Sequence, residues 1–347
     1  MEQEYKYMVA TRCFTFNHAP YIEDAMNGFA MQETTFPVVT LIVDDASADG
    51  EPEVIRKYLA EHFHSPYRTE ETEYAHIICA KHKTNANCDF VVFLLKYNHY
   101  SIKKNKLPYL SEWLDNAKYH ALCEGDDYWS DPQKLQIQVD EMENAPSYVL
   151  CFTGYYIFYQ DGKIEKAKIT GLPKDDDYSD ELFTNGNKVA TLTVLIRAVA
   201  YKNVPSLSFQ NKWKMGDLPL WIELSQQGLF KYIPQNTAVY RKLDLSASHN
   251  PNINRRLDFI RNTYEIKKTY ADYFRKNISS SYFDTKMYEA LLNEAFVSKD
   301  KKLSKALYFE TKSKGLASFD IWKTYVLTVY NNNPLVLCYL LMRKMCK

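Results

Sequence analysis

The chain of 347 residues carries 43 Lys+Arg and 43 Asp+Glu, so its formal net charge is zero. Its 10 glycines are so dispersed that no two lie closer than eight residues, which excludes the G-x-G-x-x-G and G-x-x-x-x-G-K-S/T phosphate cradles by counting alone. At 46% hydrophobic and 25% charged residues, the composition is that of a globular chain long enough for one large domain plus an appendage, or for two domains.

The first part alternates between strand and helix patterns. Residues 7–14 favour a strand, and 20–31 place Ile22, Ala25, Met26, Phe29 and Ala30 at helical spacing. Residues 38–43 (VVTLIV) form an apolar run of strand length, as expected of a parallel strand buried on both faces, and stop at Asp44-Asp45. A helix is expected over 53–63 and a strand over 76–80. Residues 85–116 give no single reading beyond a helix with Pro108 in its first turn, running to about Ala117. A strand over 119–123 ends at Glu124-Gly125-Asp126-Asp127. Asp131 then reads as an N-cap with Pro132 in the first turn, ahead of Leu135, Val139 and Met142 on one helical face. Residues 148–159 are strand-like. Repeated strand–helix units imply an α/β fold with a mostly parallel sheet. From about 252 onward the pattern is helical, over 253–276, 282–297, 302–314 and 319–330, with no repeat of fixed length.

The balanced charge hides an asymmetry: residues 251–347 carry 18 Lys+Arg against 9 Asp+Glu, whereas 1–250 carry 25 against 34. This shift sets the expected domain boundary near 250, followed by a basic helical region. The stretch 335–342 is apolar and is followed by Arg343 and Lys344. It is too short to cross a bilayer, which takes about twenty residues. An apolar run with a basic flank suits an anionic membrane surface as well as it suits a helix docked on the domain. Seven cysteines form no C-x-x-C pair, and the opening MEQEYKYMVATR lacks the apolar core of a signal peptide, so reduced thiols in the cytoplasm are expected.

Two acidic pairs, Asp44-Asp45 and Asp126-Asp127, close expected parallel strands. Ligands of open α/β sheets bind in the crevice beyond such strand ends. Carboxylates clustered there repel one another unless a cation or hydrogen-bond donors compensate. Hard oxygen ligands favour Mg²⁺ or Mn²⁺ shared with substrate phosphates; the competing reading is that each pair caps the helix that follows. Asp45-x-Ser47-x-Asp49-Gly50 mimics the start of a calcium loop, but Arg56 stands where that loop needs its bidentate Glu. His62-x-His64 has no third ligand at motif spacing, and there is no G-x-S-x-G elbow.

Together these residues resemble the family 2 glycosyltransferases of the GT-A fold, particularly bacterial enzymes that build surface polysaccharide, over about residues 8–249. Phe14-Thr15-Phe16-Asn17 is similar to the turn after that family's first strand, Tyr21-Ile22-Glu23-Asp24-Ala25 and Met31-Gln32 to its first helix, and residues 43–50 to its nucleotide-binding acidic turn. Glu124-Gly125-Asp126-Asp127-Tyr128-Trp129, with Asp131-Pro132-x-Lys134-Leu135-x-x-Gln138, resembles its metal-binding DXD region. Gly216-Asp217-Leu218-Pro219-Leu220-Trp221 and Tyr240-Arg241 resemble the acceptor-side acidic motif and the strand beyond it.

The resemblance implies a GT-A nucleotide-diphospho-sugar transferase fold, a mostly parallel central sheet flanked by helices with a C-terminal helical appendage. The catalytic domain would cover 1–250, with a nucleotide-binding half over about 1–127 and an acceptor half over 128–250. It implies metal-dependent, inverting transfer from a nucleotide sugar, taken as a UDP-sugar, to a hydroxyl of a saccharide or lipid-linked saccharide. Nucleic acid is not an implied partner; the setting would be the cytoplasm or the inner face of the cytoplasmic membrane. Thr15, Phe16, Asn17, Asp44, Asp45 and Asp126 would line the nucleotide, with Asp45 taking the pyrimidine N3–H. Asp127 and Asp126 would hold Mg²⁺ or Mn²⁺, with Glu124 and His249 as secondary candidates, and Asp217 would be the general base. Phe14 and Phe16 depart from the family's usual Pro and Tyr, Glu124 stands where Asp is common, and Gly216 precedes the base where an acid is frequent. Two other classes stay open. One is an inactive nucleotide-sugar-binding scaffold, which would bind without turnover. The other is a metal phosphoesterase, a class whose sites usually recruit several histidines.

Overall fold

Apolar runs with no polar alternation have to be covered on both sides, and here they form the middle of one large sheet. The computed structural model describes residues 4–204, 213–243, 250–316 and 318–330. In chain order the elements begin β1 (Tyr7–Thr15), α1 (Ile22–Ala30), β2 (Val38–Asp44), α2 (Glu51–His62), β3 (Arg68–Glu71), β4 (Ala75–Lys81), β5 (Cys88–Leu95), α3 (Ser111–Leu114) and β6 (Ala117–Leu122). They continue with β7 (Tyr128–Trp129), α4 (Lys134–Asn144), β8 (Tyr148–Tyr159), β9 (Ile164–Lys166), α5 (Glu181–Thr184), β10 (Val194–Arg197), α6 (Ala198–Lys202), α7 (Asp217–Ser225) and β11 (Leu229–Lys242). Four helices follow: α8 (Ile253–Tyr273), α9 (Ser280–Val297), α10 (Lys301–Ser313) and α11 (Phe319–Tyr330).

The sheet runs β3-β4-β5-β2-β1-β6-β10-β8-β11-β7, with β9 paired to β8. Its centre, β5-β2-β1-β6, is parallel. Antiparallel pairing of β4 with β5 and of β10 with β6 flanks that centre. The register sets Thr15 beside Asp44 and Asp44 beside Leu94, so β1, β2 and β5 end level. The chain leaves β1 towards β2 and later returns to its other side as β6. Strand order therefore reverses about β1, and the crevice beyond its carboxyl end is where such sheets bind ligands. β2 explains why its sequence does not alternate: Val38 and Ile42 enter one buried core, Val39, Leu41 and Val43 the other.

The sequence expectations for β1, β2, α1, α2, β4, β6 and β8 match these elements to within two residues at each end. Three differences stand out. The unassigned stretch holds β5, which is buried along its whole length. The helix expected from Pro108 is a 3₁₀ turn (Leu107–Leu110) followed by the single turn of α3. Helix α4 starts at Lys134, because Asp131 spends its Oδ1 accepting the Gln133 N–H (2.8 Å) in a turn ahead of the helix.

By contact the chain divides into one unit formed by Met1–Ser206 with Leu220–Lys242 and another formed by Leu207–Pro219 with Leu243–Lys347. Residues 207–219, placed by the sequence reading in the acceptor half, thus group with the C-terminal helices. In that second unit α8, α9 and α10 are capped by Asn252, Ser279 and Asp300, whose side chains accept the N–H of Asn254, Tyr282 and Leu303. Leu257, Tyr288, Leu291, Leu292, Leu307 and Ile321 form its core. Among the described residues no helix is long and apolar enough to cross a membrane. The apolar run 335–342 lies outside the described residues. The five described cysteines are unpaired and buried.

Candidate active site

The turns after β1 and β2 are laced together at the crevice. Asn17, at φ 56°, donates its N–H to Ser47 Oγ (2.8 Å), and its Oδ1 accepts the Ala48 N–H (2.9 Å). The Ala19 N–H donates to Asp49 Oδ2 (2.9 Å). At the centre is Glu51, fully buried in the first turn of α2. Its carboxylate accepts from Thr15 Oγ1, from the His18 N–H (2.8 Å) and from Ser47 Oγ (2.8 Å). Phe16, at the outer side of the same turn, is 43% exposed. Asp44 accepts the Ser47 N–H at 3.3 Å. Burial pushes the Asp44 carboxyl up to about 6; the hydrogen bond with Ser47 pulls it down, while the charges of Glu51 and Asp45 add to the rise.

Asp45 is engaged by the protein's own donors. Its carboxylate accepts the His99 N–H (2.7 Å), the Tyr100 N–H (3.1 Å) and Lys106 Nζ (2.8 Å), while its carbonyl accepts from Asn98 Nδ2 (2.9 Å). The residue that the resemblance sets against a pyrimidine N3–H also holds the 97–106 loop at the strand end. Fully buried His99 reinforces this loop, its Nδ1 2.8 Å from Tyr97 O and its Nε2 3.2 Å from Tyr109 OH.

The acidic turn after β6 abuts the β1 turn. The Gly125 N–H donates to Phe14 O (3.1 Å), and the Asp127 N–H to Glu124 O (3.1 Å). His18 Nε2 lies 3.9 Å from Asp126 Oδ2, joining the two turns across the mouth of the crevice. Asp127 is buried, and its Oδ1 accepts the Arg241 N–H (2.8 Å). Burial raises the Asp127 carboxyl well above the usual range, Asp126 and Glu124 add to the rise, and the Arg241 N–H and charge oppose it. Arg241 also donates Nη1 to Asp126 O (2.8 Å) and pairs through Nη2 with Asp24.

Among the described residues no group of three or more His, Cys, Asp or Glu side chains is gathered closely enough to hold a metal ion by itself. The donor chemistry still fits Mg²⁺ or Mn²⁺, which take one or two carboxylates and complete their shell with waters and phosphate oxygens. Asp127 is a buried carboxyl crowded by two others, and a cation would relieve it; Asp126 and Asp127 are the residues that could hold one.

Asp217 is the first residue of α7 and groups with the second unit, whereas the helix from Leu220 onward groups with the first. The segment before it is tied to α8, with the Lys214 N–H donating to Asn262 Oδ1 (2.8 Å) and Lys214 Nζ 3.2 Å from Asp258. Burial raises the Asp217 carboxyl, against hydrogen bonds from its own N–H and that of Leu218. His249 lies outside the described residues. Of the expected residues, the first unit brings together Thr15, Phe16, Asn17, Asp44, Asp45, Glu124, Asp126 and Asp127 at one strand-end crevice. The sequence reading missed Glu51, His18 and Lys106, and quoted Arg241 without giving it a role. Glu51 alone had a local signal, an acid in the first turn of a helix beside a ligand-facing turn.

The chain has the GT-A glycosyltransferase fold. The mannosyltransferase PcManGT from Pyrobaculum calidifontis, solved in complex with GDP-Man and Mn²⁺, superposes with a TM-score of 0.50 at 12% identity, covering 99% of this chain and 81% of that one. No family model matches the chain. In sequence it is 29% identical over 229 residues to the uncharacterized protein Rv1520 of Mycobacterium tuberculosis (strain ATCC 25618 / H37Rv), covering 66% of this chain and 57% of the relative. The match thus spans little more than half the length of that relative. It is 25% identical over 249 residues to the putative teichuronic acid biosynthesis glycosyltransferase TuaG of Bacillus subtilis (strain 168), covering 71% of this chain and 83% of TuaG.

Proposed function

We propose that this chain is a metal-dependent, inverting glycosyltransferase of cell-surface polysaccharide synthesis. It takes sugar from a nucleotide diphosphate sugar, a UDP-sugar in the first instance, to a hydroxyl of a saccharide or lipid-linked saccharide, in the cytoplasm or at the inner face of the cytoplasmic membrane. The observation that carries the reading is the pairing of the buried Asp127, beside Asp126 in the turn after β6, with the laced Thr15–Asn17 and Asp44–Ser47 turns at the point where strand order reverses. The relative TuaG and the fold support the same class.

Phe16 and the Thr15–Asn17 turn would flank the nucleoside, and Asp44 with the 97–106 loop held by Asp45 would close its other side. Asp126 and Asp127 would hold Mg²⁺ or Mn²⁺ against the diphosphate; that ion, when bound, neutralises charge on the departing nucleoside diphosphate. Asp217 would accept the proton of the acceptor hydroxyl as it attacks the anomeric carbon. Its raised carboxyl pKa suits a base working near neutral pH better than an ordinary aspartate would.

The test is a panel of nucleotide sugars with Mn²⁺, read by thermal shift and by release of nucleoside diphosphate. A UDP-sugar is expected to raise the melting temperature and to be turned over when a saccharide acceptor is added. A panel in which no nucleotide sugar binds would overturn the assignment, and binding without turnover on any acceptor would favour a scaffold.

A further inference from the structure

Arg241 is the penultimate residue of β11, which pairs antiparallel with β7 so that Val239 lies opposite Tyr128. Two residues further along β11 the chain reaches the acidic turn. There Arg241 makes three kinds of contact at once. Its backbone N–H donates to Asp127 Oδ1 (2.8 Å), its Nη1 donates to the Asp126 carbonyl (2.8 Å), and its Nη2 pairs with the Asp24 carboxylate on α1. The guanidinium carbon also sits 4.5 Å from the centre of the Tyr128 ring and 5.2 Å from that of Tyr21. The side chain is only 7% exposed. A planar fork with a permanent charge can serve a carbonyl, a carboxylate and two ring faces together, which a lysine ammonium cannot.

We propose that Arg241, anchored by Asp24, is a positioning residue that sets the Asp126–Asp127 turn in its cation-binding shape before any ion arrives. The inference rests on the reading of that turn as the site of the divalent ion. Glu124, Asp126 and Asp127 share one turn, where like charges disfavour one another. Arg241 opposes this through a buried countercharge and through two bonds made to the turn itself. It acts on the ion only through the aspartates. The same fork connects α1, β7 and β11, elements far apart in sequence, so the order of the turn depends on the packing of all three.

The experiment titrates Mn²⁺ into the full chain with UDP present and counts free ion by its electron paramagnetic resonance signal, beside a thermal melt of each variant. Groups that orient metal ligands typically contribute 10–100-fold to affinity. Arg241→Lys keeps the charge and the backbone N–H but loses the fork, and is expected to weaken Mn²⁺ binding by about that factor. Asp24→Asn loosens the fork without touching the turn, is milder for folding, and is expected to weaken binding by a smaller factor in the same direction. Wild-type affinity in both folded variants, whatever their melting temperatures, overturns the positioning role while leaving the metal reading intact. If Arg241→Lys fails to fold, wild-type affinity in Asp24→Asn alone overturns it. If the wild-type chain itself takes up no Mn²⁺, the metal reading falls and this inference falls with it.

Discussion

Lys106 donates to the buried carboxylate of Asp45 at 2.8 Å, across 61 residues of chain, and the N–H groups of His99 and Tyr100 complete the grip. The acid at the end of β2 is thus an anchor for the 97–106 loop. Asp45→Asn would turn an amide N–H₂ towards donors that need an acceptor and leave Lys106 without its ionic partner. A cost of about 1–3 kcal/mol is expected, the usual range for leaving a buried polar group unsatisfied. Urea unfolding measures it, and amide exchange should speed up across residues 97–106. An Asp45 that served only to contact a base would leave stability and loop exchange at wild-type values.

Asp44 predicts a pH dependence of a different sign from that of an ordinary salt-bridged acid. Burial pushes its folded-state pKa up to about 6, so the folded chain holds the proton more tightly than the unfolded chain does. Its contribution to stability is complete below the unfolded value of about 4 and is lost as the pH rises through about 6. Asn mimics the protonated carboxyl and can still accept the Ser47 N–H. Asp44→Asn should therefore match the wild type near pH 4 and exceed it near pH 8, by at most ~3 kcal/mol for a shift of this size. Urea midpoints at the two pH values decide it; an equal change at both removes the linkage.

Asp127 carries the same kind of penalty, and a bound cation should lift it. Without metal, Asp127→Asn is expected to melt at or above the wild-type temperature, because the charge that burial and Asp126 disfavour is gone. With Mn²⁺ and UDP the order should reverse. Wild type gains about 2.7 kcal/mol at a hundredfold excess over the dissociation constant, and the variant gains almost nothing. A variant that still responds to Mn²⁺ would place the ion elsewhere.

The sequence made the strand ends legible and left their partners hidden, for a physical reason. Runs such as VVTLIV announce a doubly buried strand, and the acids that end them announce a crevice. What satisfies those acids comes from far along the chain: Lys106 for Asp45, and Arg241 for Asp127 at a separation of 114 residues. No local pattern encodes such pairs. β3 reads RTEE and has no apolar period, because at the edge of the sheet it is held by its ladder with β4. β5 was lost for the opposite reason: its run CDFVVFLL is followed by a polar, Tyr- and Lys-rich loop whose order comes from Asp45. Asp131 shows the limit of capping rules, since its side chain serves a turn ahead of α4 instead of the helix itself.

Asp217 can be tested apart from donor binding. Asp217→Asn should lower turnover by about 10²–10⁴, the usual contribution of a general base, and leave Mn²⁺–UDP affinity unchanged. Because burial holds this carboxyl above its ordinary value, the acid limb of the wild-type rate profile should fall at a higher pH than an exposed aspartate would give. The residual rate of the variant should not show that limb. Turnover within about tenfold of wild type would remove Asp217 from the base role.

A Cβ at Gly125 would stand 2.1 Å from Thr15 Oγ1 and 2.6 Å from Thr15 Cβ, and Thr15 cannot swing aside without giving up its bond to Glu51. Gly125→Ala must therefore push the acidic turn away from β1, at a cost of about 1–3 kcal/mol for overpacking and with weakened Mn²⁺ binding as Asp126 and Asp127 move with it. Gly216 is the matching control: it precedes Asp217, and a Cβ there meets nothing within 4 Å among the described residues. Gly216→Ala should cost only about 0.5–1 kcal/mol, the preference for glycine over alanine just before a helix, and leave Mn²⁺ binding unchanged. Comparing the two alanine variants by urea unfolding and Mn²⁺ titration separates contact from composition, since each adds one methyl group beside an acid assigned to the chemistry. Equal effects would mean that the close approach of Gly125 to Thr15 does not hold the turn in place.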